Sequence, residues 1–244
     1  LSKVKSELNI LETLLEGAYL IGEITPKLSD KIVSFGELLS SYIISEFFII
    51  SQLDAIYKDS RELIKTNNNY GKGVVNFEVT NSNCQTYFSQ SKHRITVLGG
   101  FIASSIQGNS TTLGRGGSDY TAAIIAGTLD AEALEIWTDV SGMYTANPKI
   151  VKQAVAIPHI SYEEAMELSH FGAKVLYPPT IQPVLAKGIS IFIKNTFDPK
   201  AAGTLITKNQ NGGGTSVRGI SHVENMALVS LEGPGMVGIP GISK

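Results

Sequence analysis

At 244 residues, 43% of them hydrophobic, the chain can bury a substantial core, enough for one α/β domain or one domain plus a fragment. A net charge of −2 leaves no basic footprint for nucleic acid, and no apolar run is expected to reach membrane-spanning length. Cys84 is alone, which excludes an intrachain disulfide and suits a reducing cytoplasm, while His93, His159, His170 and His222 lack metal-ligand spacing.

The first helix is predicted over residues 1–18, where Val4, Leu8, Leu11 and Leu15 fall at helical spacing. Thr25-Pro26 places a capping hydroxyl ahead of a proline in the first turn, so a second helix is expected from there to about Phe47. Its stripe of Leu28, Ile32, Phe35, Leu39 and Tyr42 is the face expected inside. Strands are predicted near 53–57 and 74–79, then a helix around 83–91 and a strand at 95–98 that runs into Gly99-Gly100-Phe101. A helix over 120–129 and a strand over 134–138 follow. Ser161-Tyr-Glu-Glu164 is a capping box opening a helix through Phe171. After Pro178-Pro179 another helix is expected, then strands near 189–193 and 204–206. Strands separated by helices predict an α/β fold with a mostly parallel sheet covered on both faces. Residues 209–215, Asn-Gln-Asn-Gly-Gly-Gly-Thr, are linker chemistry, and the apolar content of 217–231 reads as the opening strand of a second domain. The expected organisation is a first domain over 1–207, a linker over 208–216, and the beginning of a second domain over 217–244.

The segment T-T-L-G-R-G-G-S-D at 111–119 is the most informative one. Glycines let backbone approach a ligand closely, and the helix start behind them aims free N–H groups at an anion. Ser118 or Asp119 is expected to cap that helix, and Arg115 offers a planar fork for a carboxylate or phosphate. A tight connection without a ligand is the other reading of the same residues. No Gly-Lys-Ser/Thr follows the glycines, so this is no P-loop.

Two further loops leave the carboxyl ends of predicted strands, Gly99-Gly100-Phe101 and Thr138-Asp139, where ligands of open α/β sheets bind. Thr138, Asp139 and Tyr144 could face a nucleoside there, with Asn147-Pro148-Lys149 as a turn beyond; an ordinary βα loop is the alternative. Glu37 points away from the apolar stripe of its helix, which reads as a solvated side chain. Gly36 beside it weakens the helix by about 1 kcal/mol relative to alanine and would admit another backbone or a small ligand. Lys174 reads equally as a surface lysine or as one projecting into a cleft.

Taken in order, Ser34-Phe-Gly-Glu37, Gly100-Phe-Ile102, T-T-L-G-R-G-G-S-D-Y-T at 111–121, Trp137-Thr-Asp-Val-Ser-Gly-Met-Tyr144 and Phe171-Gly-Ala-Lys-Val-Leu-Tyr-Pro178 resemble the aspartate kinases of the amino acid kinase family. The resemblance covers about residues 20 to 244, and Leu20-Ile-Gly-Glu23 with Glu164-Ala-Met-Glu-Leu-Ser-His170 is most similar to aspartokinases fused to homoserine dehydrogenase. It implies a three-layer αβα sandwich followed by the start of an α+β ACT-type regulatory domain. It also implies transfer of the ATP γ-phosphoryl group to the side-chain carboxylate of L-aspartate, giving 4-phospho-L-aspartate for lysine, threonine and methionine biosynthesis. In that reading Arg115 binds the aspartate carboxylate, Glu37 its ammonium, and Ser118 assists. Asp119 organises lysines around the transferred phosphoryl, Lys174 among them. Gly100, Phe101, Thr138, Asp139, Tyr144, Lys149 and Lys174 line the ATP site, and Mg²⁺ is held mainly by phosphate oxygens and water. A cytoplasmic homo-oligomer without nucleic-acid or membrane partners is implied, with a fused dehydrogenase as a further element.

The chain departs from the family pattern in three places. It begins after the family's Lys-Phe-Gly-Gly-Thr-Ser segment, its Asn147 and Lys149 stand where many relatives carry Asp and Arg, and the ACT-type region stops after its first element. The expectation is therefore that this polypeptide alone is inactive or nearly so. Competing readings are another amino acid kinase, such as an acetylglutamate or uridylate kinase, and a non-catalytic amino-acid-sensing or oligomerisation module.

Overall fold

Helix α1 (Ser2–Ile21) ends at Gly22, and helix α2 (Pro26–Ile50) begins behind Thr25, whose hydroxyl accepts from the Leu28 N–H at 3.2 Å. Both starts and the proline are where the sequence puts them. The buried face of α2 is not. Buried along it are Asp30, Ser34, Phe35, Leu38, Ser41 and Ser45, whereas Leu28, Ile32, Leu39 and Tyr42 are only half-buried. Positions 30, 34, 38, 41 and 45 repeat at helical spacing, so a face of small polar side chains carries the packing. Such residues let a helix approach strands closely, and hydroxyls can return their hydrogen bonds to their own helix, as the Ser34 hydroxyl does to the Lys31 carbonyl at 2.7 Å. The rotation leaves Glu37 half-buried beside Leu38 rather than solvated. At 25 residues α2 is also long and apolar enough, by length and composition, to cross a membrane, which corrects the expectation that no run is. Here it packs against α1 and against strands of the fold.

The computed structural model describes residues 1–170, 176–177, 181–208 and 217–222. After α2 come β1 (Ala55–Tyr57), α3 (Ser60–Leu63), β2 (Lys65–Thr66), α4 (Phe77–Gln90), β3 (Ile95–Val97), β4 (Ile102–Ser105) and β5 (Ser110–Thr112). Then follow α5 (Gly117–Thr128), β6 (Ala133–Thr138), β7 (His159–Ser161), α6 (Tyr162–His170), α7 (Gln182–Leu185), β8 (Ser190–Asn195) and β9 (Thr204–Thr207). The pairings β1–β3, β2–β4, β6–β8 and β7–β9 are parallel, while β4–β5 and β8–β9 are antiparallel. This is the expected α/β class with mostly parallel pairing, and hydrogen bonding groups the described strands as β1-β3, β2-β4-β5 and β6-β8-β9-β7.

The strand expected at 74–79 is instead the start of α4. The Asn76 side chain accepts from the Val79 N–H at 3.1 Å and caps the helix, overriding the β-branched composition of the run. Only Val75 makes a bridge, to Thr66. The capping box is present in both directions: the Ser161 N–H donates to Glu164 Oε2 at 2.9 Å, and the Glu164 N–H to Ser161 Oγ at 3.2 Å. Residues 217–222 form no strand. Ile220 donates its N–H to the Thr145 carbonyl at 2.8 Å and Arg218 pairs with Glu164 at 3.4 Å, so this piece lies along the first domain; the rest of the expected second domain is outside the described residues.

Two apolar cores result. Ile136, Ile160, Ile191, Ile193 and Ile206 centre the larger one under the β6-β8-β9-β7 sheet, with Ala123 and Ala126 from α5. Leu63, Ile64, Val75, Cys84, Ala103 and Leu113 form the other, with Ile124 from α5. Each fully buried isoleucine contributes about 1.5–3 kcal/mol of burial. Helix α5 contributes side chains to both cores.

Candidate active site

The loop from β5 to α5 carries Arg115 between Gly114, φ 73°, and Gly116, φ 69°. Side chains other than glycine rarely adopt this backbone, so the two glycines set where Arg115 leaves the loop. Gly116 is the N-cap of α5, with no side-chain cap hydrogen bond, which corrects the expectation that Ser118 or Asp119 caps the helix. Both lie inside its first turn instead, with their side chains free of capping duty. Gly117 donates its N–H to the Gly114 carbonyl and Tyr120 to the Gly116 carbonyl, while the N–H groups of Ser118 and Asp119 find no acceptor among the described residues. A helix start with free N–H groups and a positive dipole end favours a bound anion.

Three segments converge on this turn. A Cβ on Gly100 would stand 2.8 Å from Ser118 Cα, and one on Gly99 3.0 Å from the Glu37 carbonyl oxygen. The β3–β4 turn therefore lies directly against both α2 and α5, and Glu37, Gly100 and Ser118 share one place. No atom comes within 4 Å of a Cβ on Gly36, so the close approach expected there occurs one residue along, at Glu37. Phe101 sits at φ 68°, a strained backbone for an aromatic residue. Its N–H donates to Thr121 Oγ1 at 3.1 Å, and its carbonyl accepts from the Leu113 N–H at 2.9 Å. Thr121 was not among the expected residues; the hint available was a hydroxyl one turn into the helix behind a glycine loop.

Glu37 and Asp119 are half-buried carboxylates. Desolvation pushes both above the ordinary carboxylate range, and neither has an ion-pair partner among the described residues. Two half-desolvated acids without counter-charges are poised to receive cationic groups. Arg115 is exposed, its guanidinium carbon 5.3 Å from the centroid of the Tyr177 ring. Lys174 lies outside the described residues.

The nucleotide-site candidates form a second group. Thr138 ends β6, its hydroxyl donating to Asp139 Oδ1 at 3.2 Å and its carbonyl accepting from the Thr196 N–H at 2.8 Å. Tyr144 is bridged to Ala156, and Lys149 is exposed in a turn where its N–H donates to Asn147 Oδ1 at 3.0 Å. Helix α5 packs on β6. No side-chain hydrogen bond or ion pair among the described residues joins the two groups. Cavities of about 390 and 360 Å³ lie elsewhere, against Lys3, Tyr42 and Arg61 in one case and Glu164 and Arg218 in the other.

The model of the amino acid kinase family matches residues 3–195. Among curated proteins, the chloroplastic bifunctional aspartokinase/homoserine dehydrogenase 1 of Arabidopsis thaliana is 38% identical, over 99% of this chain and 27% of its own. The lysine-sensitive aspartokinase 3 of Escherichia coli K12 is 35% identical, over 93% of this chain and 52% of its own. Among solved structures, E. coli aspartokinase III in complex with aspartate and ADP superposes with a TM-score of 0.80 at 36% identity, covering 86% of this chain and 47% of that one. The chain thus spans about a quarter to a half of the relatives it matches.

Proposed function

Because the chain belongs to the amino acid kinase family, we propose that it is the kinase part of an aspartokinase, transferring the γ-phosphoryl group of ATP to the side-chain carboxylate of L-aspartate. The observation that carries this reading is the meeting of Glu37, Gly100 and Ser118 beside a glycine-flanked Arg115. A dicarboxylic amino acid offers one cation and two anions, and this place offers the Glu37 carboxylate, one guanidinium fork and unpaired helix-start N–H groups. Arg115 would take a carboxylate of aspartate, Glu37 its ammonium, and Ser118 a further hydrogen bond.

The acceptor carboxylate is ionised at neutral pH and needs no strong base. Its difficulty is repulsion from the triphosphate, so positioning and charge neutralisation would supply most of the catalysis. Asp119 would hold the cations that surround the moving phosphoryl, Lys174 among them. Gly100, Phe101, Thr138, Asp139, Tyr144 and Lys149 would receive the nucleotide. A Mg²⁺ would be held mainly by phosphate oxygens and water, in keeping with that ion's reluctance to dehydrate. That ion would neutralise phosphate charge. A homo-oligomer, the beginning of an ACT-type regulatory domain over 217–244, a companion homoserine dehydrogenase and a reducing cytoplasm belong to the same proposal. Support for assembly comes from exposed Tyr19, Leu20, Phe47 and Ile50 on α1 and α2.

Titration calorimetry tests the reading. L-Aspartate should bind the chain and cease to bind Arg115→Ala, with MgATP binding retained. Indifference to both ligands would overturn it, and selective binding of a uridine nucleotide or acetylglutamate would assign another branch of the family.

A further inference from the structure

Asp30 is 3% exposed, yet no lysine, arginine or histidine pairs with it among the described residues. A carboxylate buried without a counter-cation is strongly penalised unless its lone pairs are filled by donors. Here they are. Oδ2 accepts from the Gly71 N–H at 2.8 Å and the Thr112 N–H at 2.9 Å; Oδ1 accepts from the Thr112 hydroxyl at 2.9 Å and shares the Gly71 N–H at 3.0 Å. One side chain of α2 therefore clasps the turn at Gly71 to the end of β5.

Both clasped segments support the arginine loop. Thr112 stands three residues before Arg115 and is tied again to the turn through its carbonyl, which accepts from the Gly73 N–H at 2.7 Å. The Gly71 carbonyl oxygen lies 3.1 Å from where a Gly114 Cβ would be, and Lys72 Cγ lies 3.6 Å away, so the turn forms the floor under Gly114. Asp30 and Glu37 are seven residues apart, two helical turns, on nearly the same side of α2 and about 10.5 Å apart along it. One rigid helix thus holds Glu37 directly and the Arg115 loop through Asp30.

We propose that Asp30 is a positioning residue: it fixes the Gly114-Arg115-Gly116 loop relative to Glu37, and so sets the spacing between the two anchors for a zwitterionic substrate. The inference rests on the substrate reading given above for its consequence in binding, and on the clasp alone for its structural part. Asparagine can keep one oxygen on both N–H groups and turn its amide toward the Thr112 hydroxyl; alanine leaves all three donors without an acceptor.

Asp30→Ala, Asp30→Asn and Thr112→Val are compared with the parent chain by amide hydrogen exchange over residues 113–118 and by calorimetry with L-aspartate and with MgATP. Asp30→Ala should exchange faster over 113–118 and lose about 10- to 100-fold in aspartate affinity, the scale of an anchor displaced by about 1 Å. MgATP affinity should stay within about twofold, Asp30→Asn should recover most of the aspartate affinity, and Asp30→Ala should add no further loss in an Arg115→Ala background. If Asp30→Ala does not fold, Thr112→Val carries the same comparison with a smaller effect. Unchanged exchange over 113–118, or equal losses for aspartate and MgATP, would overturn the proposal. Should the parent chain bind no aspartate, the function reading fails, and exchange over 113–118 still decides the clasp.

Discussion

Replacing Gly100 by alanine adds one methyl group at the point where the β3–β4 turn touches the first turn of α5. The new Cβ would stand 2.8 Å from Ser118 Cα and 3.0 Å from Ser118 Cβ. Gly100 has no positive φ, so alanine is conformationally acceptable and the effect is purely steric. Ordinary carbon contacts lie at about 3.5–4.0 Å, so the two segments must separate by roughly 1 Å. Backbone cannot give way as a flexible side chain does, and overpacking of this kind costs about 1–3 kcal/mol. In a chain of this size each kcal/mol lowers the melting temperature by about 2–4 °C, so a fall of about 2–12 °C is expected. The functional loss should be larger, because a displacement of about 1 Å at Ser118 and Asp119 can cost about 100-fold in a positioned reaction. Gly36→Ala is the control. It lies within α2 with no atom near a Cβ, and should stabilise the chain by about 0.5–1 kcal/mol. Thermal melts and aspartate calorimetry on both variants decide the matter: parent-like behaviour of Gly100→Ala would refute the argument that this contact builds the site.

Asp119 gives a pH-dependent expectation. Burial raises its native pKa above 3.8, so between 3.8 and the raised value the native state holds a proton that the unfolded chain has released. Stability therefore falls as pH rises through that window, and Asp119→Asn should melt higher than the parent at pH 7, with the gain shrinking toward pH 3.8; a lower melting point at pH 7 would contradict this. Thr121→Val keeps the shape of the side chain but strips the Phe101 N–H of its acceptor, and should lower stability by about 1–3 kcal/mol while speeding exchange of that amide. Cys84 is fully buried and its thiol is pushed up to about 11, so a thiol reagent at pH 8 should find no reactive group until denaturant is added. Reaction at the native stage would show that α4 opens readily.

Two helix starts, those of α2 and α6, were legible because they depend on neighbours in sequence. Thr25-Pro26 and the Ser161–Glu164 box act within one turn, and both appear as read. The short strands β2, β4, β5 and β7 were not legible. Lys65–Thr66, Ile102–Ser105 and Ser110–Thr112 are short, and β4 and β5 bury serines and threonines where alternation would be expected, so nothing local marks them. The capping asparagine at 76 was a readable signal outweighed by Val74, Val75, Phe77 and Val79 around it.

The glycine loop, its arginine and the helix behind it were written in the order of residues, because φ preference and helix dipole are local properties. Which face of α2 turns inward was decided only by packing: the apolar stripe loses to Asp30, Ser34 and Ser41, whose small size admits strands and the Gly71 turn. Asp30 illustrates the limit. Its donors lie 41 and 82 residues away along the chain, and no periodicity can announce partners that only the folded backbone brings within 3 Å.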